Sequence, residues 1–164
     1  MKAYSGYVNL PANPAEGRLY DINTFFWFFE ARKDPKHAPL TLWLQGGPGA
    51  PSSPAALGEN GPCYINRDSK TTRLNPWSWN NEVNMLYIDQ PVQAGFSYDR
   101  LIKGVIDETV LPFVVTPVLE GSTPKLNSTF LLGTFPSQDI KSTANTTTMA
   151  ALATWHFMHI WMKE

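Results

Sequence analysis

Apolar positions along this chain come in short runs broken by proline and glycine, and only the last run is long enough for a helix. Residues 4–10 and 19–20 read as short strands, separated by Pro11, Asn13-Pro14 and Gly17. Residues 23–32 contain TFFWFFEA, whose aromatic side chains suit a pleated, buried strand better than a helix. Two compact runs, LTLWL at 40–44 and NMLYI at 84–88, stop at Gln45-Gly46-Gly47-Pro48-Gly49 and at Asp89-Gln90-Pro91. Such runs predict central strands covered on both faces of an α/β sheet. The stretch between them is loop-rich, with Pro51, Pro54, Pro62 and Pro76, and has room for a short helix at 55–59. From 101 to 139, Pro112, Pro117, Pro124 and Pro136 break an apolar segment into short strands and loops with a hairpin. Residues 146–162 contain neither Gly nor Pro and predict a helix capped by Asn145 or a neighbouring Thr. Its apolar residues (Met149, Leu152, Trp155, Phe157, Ile160, Trp161) surround most of the cylinder, so it needs burial on two sides. The expected class is α/β, with residues 1–164 as one portion of a single domain and an irregular excursion at about 100–140.

Composition narrows the functions open to such a chain. Hydrophobic residues make up 43% of the 164, enough to build a core. Thirteen Lys and Arg against fourteen Asp and Glu leave a net charge of −1, which provides no footprint for nucleic acid and no polybasic membrane patch. No apolar stretch approaches the roughly 18 residues of a membrane span. Cys63 is the only cysteine, so no intrachain disulfide and no zinc cluster built on several thiolates can form. Nothing in the sequence calls for a metal or a cofactor. The first residues, MKAYSG, lack a signal peptide's apolar core, yet Asn127-Ser128-Thr129 and Asn145-Thr146-Thr147 are N-glycosylation sequons.

The sharpest local feature is Trp43-Leu44-Gln45-Gly46-Gly47-Pro48-Gly49. A strand running into such a turn presents bare backbone beyond its carboxyl end, and glycine lets a substrate approach closely. In α/β-hydrolases the loop after the third strand supplies one N–H of the oxyanion hole. Read alone, the same residues also make an ordinary tight turn. They are followed in order by Glu59-Asn60-Gly61-Pro62, Asn75-Pro76-Trp77-Ser78-Trp79-Asn80, Asn84-Met85-Leu86-Tyr87-Ile88-Asp89-Gln90-Pro91 and Gly95-Phe96-Ser97-Tyr98. This ordered series resembles the amino-terminal part of the serine carboxypeptidases, which have an α/β-hydrolase fold. The opening Tyr4-Ser5-Gly6-Tyr7 and the closing Ala150-Ala151 and Trp155-His156-Phe157 fit the same family, so the resemblance covers nearly the whole chain.

The resemblance implies specific roles. Gly47 matches the glycine whose amide helps form the oxyanion hole. Gln45, with Gly46 beside it, sits where relatives have an Asn that holds the substrate's terminal carboxylate. Glu59 matches an acidic partner of that Asn, and Trp43 an aromatic wall of the leaving-residue pocket. Without the family, Trp43 reads as core and Glu59 as a solvated charge at a helix end. Gln45 lengthens the family's Asn by one carbon, and Ala50 stands where many relatives have a Cys, so a disulfide common in the family cannot form from that position. Cys63, the only cysteine, has no intrachain partner of its own.

The family's nucleophile lies in a G-x-S-x-G elbow, followed by Asp and His. No G-x-S-x-G occurs here, and the nearest approach is Gly95-Phe96-Ser97-Tyr98-Asp99. Ser97, Asp139 and His156 have the right order for a triad, but the surroundings of Ser97 and His156 argue against one. His159 is three residues beyond His156, but two His alone do not make a metal site, and His37 reads as solvated. The chain is therefore expected to be an incomplete α/β-hydrolase fold without a triad. The activity implied for a complete relative is release of C-terminal amino acids from peptides, in a secreted or vacuole-like compartment. Other readings are a non-catalytic module that binds peptide ends or a partner, a truncated gene product, and a relative that transfers acyl groups to alcohols.

Overall fold

The computed structural model describes residues 1–47, 49–111, 113–119, 121–122 and 127–163. Pro48, Pro112 and Pro124, which mark breaks in the sequence pattern, lie outside the described residues. Three N-terminal strands are β1 (Ala3–Leu10), β2 (Ile22–Phe29) and β3 (Leu40–Trp43). After them come helix α1 (Ala55–Gly58), a hairpin of β4 (Cys63–Ile65) and β5 (Thr72–Leu74), and strand β6 (Asn84–Ile88). Strands β7 (Leu101–Asp107), β8 (Val115–Pro117) and β9 (Phe130–Pro136) lead into helix α2 (Thr147–Trp161).

The main sheet has the order β1-β2-β6-β3, antiparallel except for the parallel pair β3 and β6. A parallel neighbour requires a crossover, supplied here by the segment that carries α1 and the β4–β5 hairpin. Because side chains alternate along a strand, β6 serves two cores at once. Leu86 and Ile88 join Val8, Leu10, Ile22, Val92 and Phe157 under α2. Met85 and Tyr87 join Phe29, Ala55 and Ala56 on the face that α1 covers. Register keeps the alternation: Leu42 pairs with Leu86 and Trp43 with Tyr87, so each stays on its neighbour's face.

Several expectations need correction. β3 is not central: it lies at the sheet's edge with half-buried or exposed residues, whereas β6 lies between β2 and β3 with Met85–Ile88 buried. A short apolar run cannot reveal how many partners its strand acquires. Residues 19–20 form no strand. A 3-10 turn at Pro14–Glu16 and Gly17 at φ 75° fold the chain so that Asn13 pairs with Arg18, leaving Leu19 exposed. The loop-rich stretch hides the β4–β5 hairpin, whose strands have three residues each and bury little. The segment at 101–139, expected as short strands and loops with a hairpin, agrees with that reading: among its described residues β7, β8 and β9 form a three-stranded antiparallel sheet in the order β8-β7-β9. Within it Gly104 is closely approached: a Cβ would meet Val115 Cγ1 at 2.5 Å, so a side chain there would have to displace that valine. The α2 helix starts at Thr146, whose hydroxyl accepts from the Met149 amide. The sheet covers one side of it and buries Phe157, while Trp155 on another side stays 55% exposed among the described residues.

A buried carboxylate anchors the second sheet. Asp99 accepts from both the amide and the hydroxyl of Ser137, just past β9. Burial raises its carboxyl, but hydrogen bonds from the Ser137 hydroxyl and from the Arg100 and Ser137 amides outweigh that and hold it below the usual range. A depressed native value stabilises the folded state above the unfolded value of about 3.9 and is lost as pH falls through the native one. Acid titration followed by hydrogen exchange should therefore release β9 below about pH 4, and Asp99→Asn should flatten that dependence. An unchanged acid profile in the variant would contradict this assignment.

Candidate active site

The carboxyl ends of β3 and β6 open toward the same space, as ligand-binding ends do in α/β sheets. Beyond β3 the backbone runs through Gln45, Gly46 and Gly47, and both glycines are exposed. The Gln45 amide donates to Ser52 Oγ at 3.0 Å, and Ser52 is fully buried, so the loop's first residue is fixed from below. Among the described residues the Gly46 and Gly47 amides have no hydrogen-bond partner. They border a cleft of about 480 Å³ together with Gln45, Gln90, Pro91 and the start of α2 at Asn145–Thr147.

Beyond β6 a buried carboxylate organises the floor. Asp89 accepts from the Ser53 amide at 2.8 Å, the Ser53 hydroxyl at 3.0 Å and the Phe96 amide at 3.1 Å. Two amides and one hydroxyl thus supply the hydrogen bonds that a side chain removed from water requires. Gly95 is needed where it stands: its φ is 55°, and a Cβ would meet Asp89 Oδ2 at 2.2 Å. One turn back, Gln93 Nε2 donates to the carbonyls of Asp139 and Ser142, tethering the approach to α2. That tether places Asn145–Thr147 along the cleft.

A second group of residues lies at the side. Trp43 Nε1 donates to Gln45 Oε1 at 3.0 Å, and Gln45 Nε2 donates to Glu59 Oε1 at 3.0 Å. Trp43 also packs edge-on against Trp79, with ring centroids 5.3 Å apart. The longer side chain of Gln45 thus bridges an indole and a carboxylate, with one amide hydrogen left to give. Behind them Tyr87 donates to Asn60 Oδ1 at 3.0 Å. Burial, and then the nearby Glu59 charge, push its phenol well above the usual range, so it stays protonated.

All the residues singled out from the β3 turn therefore meet: Gln45, Gly46 and Gly47 at the cleft, Trp43 and Glu59 through Gln45. Asn145 borders the same cleft, whereas Asn127 lies at the far sheet, before β9. Ser97, Asp139 and His156 do not meet. Ser97 Oγ accepts from the Phe25 amide and its hydroxyl donates to the Asp89 carbonyl. Asp139 caps a 3-10 turn, and His156 pairs with Glu16 at 2.8 Å. His37 is exposed and pairs with Asp34. Ser52, Ser53 and Gln93 have no place in the sequence pattern, and Asp89 and Gln90 enter it only as a strand end and part of the motif series. Only the abrupt strand ends beside them gave a signal.

Comparison with known proteins agrees with the motif series. A family model described as serine carboxypeptidase matches residues 1–121. Carboxypeptidase S1 homolog B of Arthroderma otae is 50% identical over all of this chain and 26% of its own length. Carboxypeptidase S1 homolog A of Trichophyton rubrum is 47% identical, again over the whole chain and 26% of that relative. This chain thus spans about a quarter of the length of the curated relatives it matches. Among solved structures, Kex1Δp, a prohormone-processing carboxypeptidase from Saccharomyces cerevisiae, matches 57% of this chain at 34% identity with a TM-score of 0.47.

Ser52→Ala removes the acceptor under the Gln45 amide and should cost about 1 kcal/mol in urea unfolding. Amide exchange at residues 45–47 should accelerate at the same time. Unchanged exchange there would show that Ser52 does not set the loop.

Proposed function

We propose, from the premise that this chain belongs to the serine carboxypeptidase family, that its cleft is the oxyanion and peptide-end side of an exopeptidase site. The observation that carries the reading is the convergence of two glycine amides and the Trp43–Gln45–Glu59 hydrogen-bond chain at the end of one strand. In the proposed arrangement the Gly47 amide donates to the oxygen that becomes negative when a serine attacks the scissile carbonyl. A donor fixed there before reaction contributes about 3–4 kcal/mol to lowering the barrier. Gln45 offers its remaining amide hydrogen to the carboxylate of the peptide's last residue, and Trp43 walls the pocket for that residue. Glu59 accepts from Gln45 Nε2 and so orients the side-chain amide that faces the peptide's end.

The acyl-serine step belongs to the complete enzyme. There a serine, activated by His and Asp, would form the ester and release the terminal amino acid before water cleaves the acyl group. This sequence has no G-x-S-x-G, and Ser97, Asp139 and His156 are each engaged with other partners. The reading extends to a secreted or vacuole-like location, which the two sequons support. Among the described residues no helix is long and apolar enough to cross a membrane.

The chain alone is expected to release no amino acid from an N-blocked dipeptide at acidic pH. It is likewise expected to leave a serine-directed fluorophosphonate unreacted. Turnover, or a labelled serine, would contradict the reading.

A further inference from the structure

Two sequons are present, and the structure treats them differently. At Asn127 the side-chain oxygen accepts from the Thr129 amide at 2.8 Å, the Thr129 hydroxyl at 2.8 Å and the Phe130 amide at 3.0 Å. The residue is exposed, and its Nδ2 has no partner among the described residues. Three donors on Oδ1 draw electron density out of the amide and stabilise the form in which Nδ2 has lost a proton and carries a nucleophilic pair. The Glu108 amide donates to the Thr129 carbonyl at 2.9 Å, fixing the turn to the end of the β7–β9 pair. Val110, Leu111, Phe113 and Val114 lie exposed in the segment that follows β7, a place where a bulky polar group shields apolar surface.

At Asn145 the second sequon is built into a helix start. The Thr146 hydroxyl caps α2 by accepting from the Met149 amide, and Thr147 is the first helical residue. No hydroxyl in this sequon bonds to Asn145 among the described residues. Asn145 also borders the cleft beside Gly46 and Gly47, where a glycan would stand across the opening.

We propose that Asn127 is an N-glycosylation site and that Asn145 is left unmodified. The co-reactant is an oligosaccharide linked through pyrophosphate to a lipid. Asn127 Nδ2 forms a bond to the sugar's C1 as the C1–oxygen bond to the pyrophosphate breaks. The pyrophosphate leaves with the electron pair, and one amide proton passes to a base of the transferase. The inference does not depend on peptidase activity, only on entry into a compartment where that reaction occurs.

The test is expression of the chain behind a secretory leader in a eukaryotic host, with occupancy read by mass spectrometry after peptide N-glycosidase treatment. Cells and medium are analysed together, so a variant that folds poorly still reports. The expected result is Asn127 recovered as Asp and Asn145 recovered as Asn. Asn127→Gln and Thr129→Val should abolish the glycan's gel shift, while Thr129→Ser and Asn145→Gln should keep it. A glycan on Asn145 in the unaltered chain, or none on Asn127, would overturn the proposal.

Discussion

Strand β6 has to be apolar on both faces, and the rest of the molecule is arranged around that constraint. Met85, Leu86, Tyr87 and Ile88 are all essentially inaccessible to solvent. A strand of this kind is stable only with a cover on each side, and the two covers differ. α2 closes the face of Leu86 and Ile88, and α1 closes the face of Met85 and Tyr87. At about 1.5–3 kcal/mol per fully buried large apolar side chain, this one strand anchors more of the fold than any surface ion pair could.

Burial of β6 also fixes what happens at its end. Asp89 follows Ile88 directly and is drawn inside with it, so a carboxylate must find donors where water cannot reach. It finds them in Ser53 and Phe96, one on the crossover from β3 and one on the loop toward β7. Those bonds bring the segment after β3 and the segment after β6 to one level. The exposed Gly46–Gly47 backbone, Gln90 and the start of α2 then line one cleft instead of three separate surfaces.

Local sequence carried a large part of this and stopped at identifiable points. The β1 and β6 strands were legible because each combines an apolar run with a clear stop, at Pro11 or at Asp89-Gln90-Pro91, β2 because of its aromatic run, and α2 because a Gly- and Pro-free run follows a Thr cap. The edge position of β3 was not, since partner number is a tertiary property that LTLWL does not encode. The β4–β5 hairpin was missed because its three-residue strands are too short for a period to register. At the site, Gly47, Gln45, Trp43 and Glu59 were singled out from the order of motifs, and the fold brings them together at the end of β3. Ser52 and Asp89 were not, because a buried Ser or Asp that organises loops has no pattern of its own until its donors are located.

The central claim, that the backbone beyond β3 faces a ligand's negative end, is most directly tested by amide resonances of the labelled chain during peptide titration. With a short peptide carrying a free C-terminal carboxylate, the account predicts saturable shifts at Gly46, Gly47 and the Gln45 side-chain amide. With the same peptide amidated, those shifts should be lost. Equal responses to both peptides, or shifts confined to residues away from β3, would contradict it.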